Sequence, residues 1–297
     1  MLTLIVLIIL GALGVGFLIV FIKDFIIHKK ELEPEASWVH TSIMGAVVNF
    51  FDTLGIGSFA PTTAWLRISK QVRDKIIPGT LNVACCIPVI LEALLFIREV
   101  SVEPVTLFTM LVASTVGAYL GAGIVARLPE QKIRLFMGIA LLVTGFLMLA
   151  GMLNWMPSGG EAVGLTGAKL IIAIVASFVL GALMTAGIGL YAPCMALVYL
   201  LGMSPLVAFP IMMGSCAMLM PVASFKFIKE GAYSRKTSMA FTFAGALGVF
   251  IAVYLVISLP LTILRWLVIA VLVYTSASLI WTYARTQREE KAQPAQA

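Results

Sequence analysis

Charge is what this 297-residue sequence lacks most: Asp, Glu, Lys and Arg together make up 11% of it, against about a quarter in an ordinary soluble domain. Such a chain cannot cover a water-exposed surface. That excludes a soluble enzyme, a nucleic-acid binder and a disordered polymer. Histidine is reduced to two residues and cysteine to four. Cys85, Cys86, Cys194 and Cys216 all fall in apolar stretches, with neither a disulfide framework nor C-x-x-C metal spacing. They are expected to be packing residues. The sequence also has no nucleophile–base pair, no zinc spacing and no G-x-x-x-x-G-K-[ST]. It supports neither a membrane hydrolase nor an ATP-driven pump, and no cofactor or metal is expected.

What is present is hydrophobic: 61% of the residues, with a mean hydropathy of +1.07. The chain reads as an all-α integral membrane protein with the lipid bilayer as its solvent. Runs free of charge at 1–22, 104–126, 135–160, 237–264 and 266–284, and 76–97 interrupted only by Glu92, each suit a helix crossing about 30 Å of hydrocarbon. The first basic residue is Lys23, so the opening run lacks the basic start of a cleavable signal and is expected to be retained. From Thr286 onward the chain turns polar and is expected to be a disordered cytoplasmic tail.

Two regions resist this count: 41–66, interrupted by Asp52, and the uncharged stretch 170–225. An internal repeat explains both. Thr53-Leu-Gly-Ile-Gly-Ser-Phe-Ala-Pro-Thr-Thr-Ala64 aligns with Thr185-Ala-Gly-Ile-Gly-Leu-Tyr-Ala-Pro-Cys-Met-Ala196, seven of twelve positions being identical. At the same offset Pro78 falls on Pro210, and one residue away from it Phe96-Ile-Arg-Glu99 resembles Phe227-Ile-Lys-Glu230. The expected organisation is a first repeat over 1–128, a second over 129–258, and an extra helix over 259–285. Gly-x-Gly followed by Ala-Pro is hostile to a continuous helix, so each copy predicts a break. Each copy is either a re-entrant hairpin that returns to its own side or a broken helix that crosses. Charge separates the two. With re-entrant hairpins, about seven full crossings place seventeen of the twenty basic residues on one side, leaving Arg98, Lys169 and Arg265 on the other. Full crossings spread them more evenly, so the positive-inside rule favours the hairpins, with the N-terminus outside and the C-terminus in the cytoplasm. The halves are then inverted repeats, an architecture of secondary transporters.

Gly55, Gly57, Gly187 and Gly189, with Pro61 and Pro193, either serve close helix packing or open the backbone at half-helix N-termini, whose free N–H groups attract anions. Phe50-Phe-Asp-Thr-Leu-Gly-Ile-Gly-Ser-Phe-Ala-Pro61, followed by Ile77-Pro-Gly-Thr-Leu-Asn82, resembles the first-half signature of the TauE/SafE sulfite exporter family, the toluene sulfonate uptake permeases. Gly187-Ile-Gly-Leu-Tyr-Ala-Pro193 resembles its second-half counterpart. The resemblance implies ion-coupled transport of a small anion such as sulfite, thiosulfate or an organosulfonate. An anion channel using the same helix dipoles, or a carrier of a non-sulfur anion such as a carboxylate, is the alternative.

On this reading the substrate is expected at Gly55, Gly57, Ser58, Phe59, Ala60, Pro61, Thr62 and Asn82 from the first half, and at Gly187, Gly189, Leu190, Tyr191, Ala192 and Pro193 from the second. Asp52, three residues before the first glycine, is the expected proton-coupling group, since carboxyls inside membrane spans are functional by default. Glu92, near the end of its run, is as well explained by a structural place at the interface.

Overall fold

The computed structural model of the protein describes residues 2–155, 160–255 and 261–292. Its first helix, α1 (Leu2–Ile27), is uncharged as far as Ile22 and buries only Val6, Leu10, Gly14, Phe17 and Phe21. Leu4, Ile8, Val15 and Ile19 stay exposed, a surface that only lipid can cover. Eleven further helices follow: α2 (Trp38–Thr53), α3 (Phe59–Ser69), α4 (Ile77–Ala84), α5 (Cys86–Glu99), α6 (Pro104–Val125), α7 (Glu130–Met152), α8 (Gly167–Met184), α9 (Tyr191–Leu200), α10 (Ala208–Lys229), α11 (Arg235–Leu255) and α12 (Leu261–Ala292). Single 3₁₀ turns, Asp74–Ile76 and Pro205–Val207, lead into α4 and α10. Among the described residues there is no strand, only one isolated bridge between Ala162 and Met203.

The chain is a multi-pass membrane protein: among the described residues, seven helical stretches are long and apolar enough to cross a bilayer. Their membership differs from the expected seven. α8, with 18 residues, is among them. Helix α12 also continues to Ala292, so the polar segment from Thr286 is helical that far instead of an irregular tail. Residues 293–297 and the expected repeat boundary at 258–259 lie outside the described residues.

The element order helix, break, short helix, 3₁₀ turn, long span, helix occurs twice, from α2 to α6 and from α8 to α11. The main packing pairs cross between the two runs: α2 lies on α11, α6 lies on α8, and α5 meets α10. Glycine sets the closeness of these crossings. A Cβ on Gly117 would strike the Phe178 carbonyl, and one on Gly181 the Ser114 carbonyl; Gly45 and Gly248 stand likewise against the backbones of Phe241 and Ala46. Small residues replace side-chain bulk with backbone contact, as helix association in lipid requires.

Polar contacts gather at the two ends of the bundle. At one end the Ser37 amide donates to Gln71 Oε1 (2.7 Å) and Trp65 Nε1 donates to His40 Nε2 (2.9 Å), so the start of α2 touches the end of α3. At the same end Arg235 pairs with Asp24 (2.7 Å), Arg127 with Glu230 (2.7 Å), and Arg67 and Arg134 both with Asp74. At the other end Lys169, near the start of α8, donates to the Leu201 carbonyl just past α9 (3.0 Å). There the Glu103 amide donates to the Val163 carbonyl (2.8 Å) and the Gly160 amide to the Met203 carbonyl (2.9 Å). Most basic residues thus share the first end.

Candidate functional site: paired helix breaks

Both breaks begin with the same helix stop. After α2 the Gly55 amide donates to the Asp52 carbonyl (2.7 Å) and the Ile56 amide to the Phe51 carbonyl (3.3 Å); after α8, Gly187 donates to Met184 (3.0 Å) and Ile188 to Leu183 (3.4 Å). This double closure needs a left-handed residue at its turn, which Gly55 (φ +85°) and Gly187 (φ +95°) supply without a Cβ penalty. Gly57 (φ +90°) extends the open backbone, whereas Gly189 does not adopt positive φ. Each chain then re-enters helix, at Phe59 and at Tyr191. The first-turn amides of such helices have no intrahelical acceptor. The first backbone bonds across the new turns come from Thr62 to Ser58 (3.0 Å) and from Cys194 to Leu190 (2.9 Å), and Pro61 and Pro193, just before them, carry no N–H.

The two breaks face each other. A Cβ on Gly57 would lie 3.6 Å from Tyr191 Cβ, and one on Gly189 would lie 3.7 Å from Phe59 Cβ. Together they wall a small cavity with Ile56, Gly57, Ser58, Phe59 and Ala60 on one side and Gly189, Leu190, Tyr191 and Ala192 on the other. Val89, Thr144, Met184 and Cys216 complete it. Its free space is only about 20 Å³, roughly that of a single water. A wider recess of about 300 Å³, lined by Gly55, Ile56, Met152, Ala192, Tyr199 and Phe209 among others, adjoins it through Ile56 and Ala192.

Eight of the fourteen expected substrate residues therefore line one cavity. Gly55 and Gly187 shape the stops behind it, Gly55 against Phe209 and Gly187 against Met137 and Leu81. Pro61 and Pro193 lie on the helices behind the wall. Thr62 is buried with its hydroxyl unpartnered, outside the lining. Asn82 is also away from it; its amide donates to the Pro78 carbonyl (2.9 Å), and its own oxygen is unpartnered.

The carboxyls are deeper than sequence position suggests. Asp52 and Glu92 are both fully buried. Glu92 is not at an interface: Thr53 donates to its Oε1 (3.0 Å) and the Tyr191 hydroxyl to its Oε2 (3.0 Å). The ring that walls the cavity thus carries its hydroxyl to a carboxyl of the other half. Ser58 and Tyr191 lie beside Asp52, yet neither oxygen of that carboxyl has a hydrogen-bond partner. Thr144, whose hydroxyl is buried and unpartnered, and Cys216 also reach the cavity, and neither is marked by any motif. The four cysteines are buried and free.

Apolar spanning helices wrapped around a polar, interrupted centre define a membrane protein of the transporter class. A sequence model of the family described as "Sulfite exporter TauE/SafE" matches residues 1–148. The chain belongs to this family of membrane transporters, by a match covering the first of its two runs of helices. No curated protein and no solved structure matches the chain.

Proposed function

We propose that the protein is a secondary transporter of a small anion of the sulfite, thiosulfate or organosulfonate class, working by alternating access around the paired breaks. The observation that carries this reading is the meeting of two helix N-termini, from α3 and α9, at one small cavity. Backbone amides suit a compact oxyanion because they bind it without placing a full compensating charge in the bilayer. Ser58 makes no capping bond of its own and lies between the cavity and Asp52. The amides of Gly57–Ala60 and Gly189–Ala192 are the proposed ligands, Phe59 and Tyr191 the walls, and Asp52 the proton-coupling carboxyl. Gly55, Gly187, Pro61 and Pro193 hold the backbone open; Thr62 and Asn82 stand behind as polar support.

In this reading residues 1–128 and 129–258 are inverted repeats and 259–285 an added helix. The Ser37–Gln71 and Lys169–Leu201 contacts join the two arms of each hairpin at opposite ends of the bundle, and they support re-entry over a full crossing. The basic end is assigned to the cytoplasm, with the N-terminus outside and the C-terminus inside. A central cavity with free space for only about one water supports a carrier over a wide channel. The test is a competition screen in proteoliposomes. Sulfite, thiosulfate, sulfoacetate, sulfate and simple carboxylates are set against labelled thiosulfate. Competition by the sulfur oxyanions and not by carboxylates is expected. Preferential competition by carboxylates overturns the substrate class, and absence of flux for every anion overturns the transporter.

A further inference from the structure

Two carboxyls share the buried centre of the molecule with the proposed anion site, and among the described residues no buried cationic side chain balances them. Among the described residues no lysine, arginine or histidine is buried, while Asp52 and Glu92 are wholly so. Thr53, the residue after Asp52, is itself hydrogen-bonded to Glu92, and the two carboxyls lie within electrostatic reach of each other. The groups facing Glu92 are few. Helix α2 brings Asp52 and Thr53, α9 brings Tyr191, α10 brings Cys216, and the α4–α5 junction brings Cys85. The inner face of α1 is Val6, Leu10, Gly14, Phe17 and Phe21. The titratable side chains of α11, Arg235, Lys236 and Tyr254, sit at its two ends.

Two ionised carboxylates in such a place are not sustained, since an uncompensated buried charge is costly and two like charges more so. The pair therefore shares protons, and its titration belongs to both members. One carboxylate is provided for: hydroxyls of Thr53 and Tyr191 donate to the two oxygens of Glu92. A second is not, since Asp52 is unpartnered. An anion entering beside Tyr191 adds further negative charge to the same apolar enclosure.

We infer that Asp52 and Glu92 form one proton site joined to the anion cavity through Tyr191, so that anion binding draws a proton into the pair and the two travel in the same direction. This rests on the anion reading of the cavity given above and fixes the sign of coupling: proton–anion symport, with exchange of proton for anion excluded. The proton comes from the bulk solution onto a carboxylate oxygen of the pair, and leaves with the anion on the far side. By reciprocity, the anion binds more tightly as pH falls.

The experiment is calorimetry on the purified full chain in nanodiscs, with thiosulfate and methanesulfonate as probes between about pH 6 and pH 8. Both probes keep their charge across that range, so any proton exchanged belongs to the protein. Titrations in two buffers of different ionisation enthalpy count the protons taken up per anion. The expected result is about one proton per anion, and affinity falling about tenfold per pH unit where the pair ionises. Glu92→Gln removes the carboxylate that Thr53 and Tyr191 hold and leaves only Asp52, which has no such donors; whatever affinity this variant keeps, it should take up no proton. Anion binding by the wild-type chain with no uptake, or with release, overturns the inference and leaves the anion site standing. Uptake by Glu92→Gln equal to the wild type removes Glu92 from it. Binding of neither probe overturns the anion site itself, and the inference with it.

Discussion

Gly189→Ala separates the binding role of the breaks from their packing role more cleanly than any other substitution. Gly57 is a poor choice, since its φ of +90° adds about 1–2 kcal/mol of strain to any L side chain. Gly189 has no such requirement. A Cβ there meets only Phe59 Cβ, at 3.7 Å, an ordinary contact. Folding should therefore change by less than about 1 kcal/mol, toward stability if anything, because alanine restricts the unfolded chain. The methyl group nevertheless projects into a cavity whose free space is about 20 Å³, and it is close to the size of the one water that fits there. It also lies among the amides proposed to hold the anion. Affinity should fall at least about tenfold, or 1.4 kcal/mol, with an unchanged melting curve. Thermal unfolding and thiosulfate calorimetry on the same preparation measure both. Wild-type affinity in a normally folded Gly189→Ala protein would show that the glycines serve backbone geometry alone.

Three further outcomes are expected. Gly181→Val should fail to give a folded protein, because any side chain there strikes the Ser114 carbonyl at the α6–α8 crossing; a wild-type yield of monodisperse protein in size-exclusion chromatography refutes this. Impermeant thiol reagents added outside intact cells should not label Arg73→Cys, an exposed position at the basic end, and the native cysteines, all buried, do not interfere; external labelling ends the hairpin model. Glu103 caps α6: its burial opposes ionisation, but bonds from the Thr106 hydroxyl and the Thr106 and Val105 amides outweigh this and hold the carboxyl below the usual glutamate range. Its stabilising contribution is therefore present above about pH 4.3 and lost as pH falls through the lower folded value. Glu103→Gln should cost about 0.5–1 kcal/mol at neutral pH, and the gap in melting temperature should close on acidification; a gap independent of pH refutes the charge argument.

The breaks were legible in the sequence because glycine and proline act locally. Gly-Ile after an apolar run is a helix stop, and Ala-Pro two residues on restarts the helix with an amide missing, whatever the tertiary context. Duplication made the signal specific. The depth of Glu92 was not legible in this way. Counted along its own run it sits near an end, and only α9, folding in from the other half, brings Tyr191 to it. The repeat does hint at this: Phe59 and Tyr191 match except for one hydroxyl, and that hydroxyl is the one that bonds Glu92. Thr144 belongs to a helix with no motif, so only packing reveals it at the cavity. Asn82 and Thr62 were drawn in by nearness in sequence to the signature; on a helix, residues a few positions apart face different ways, and both turn from the cavity.

Anion accumulation in proteoliposomes under an imposed pH step tests the carrier most directly. With the outside made acidic, labelled thiosulfate should rise inside above its external concentration, and collapse of the proton gradient should release the excess. Simple equilibration that ignores the gradient would contradict a coupled carrier and establish a channel in its place.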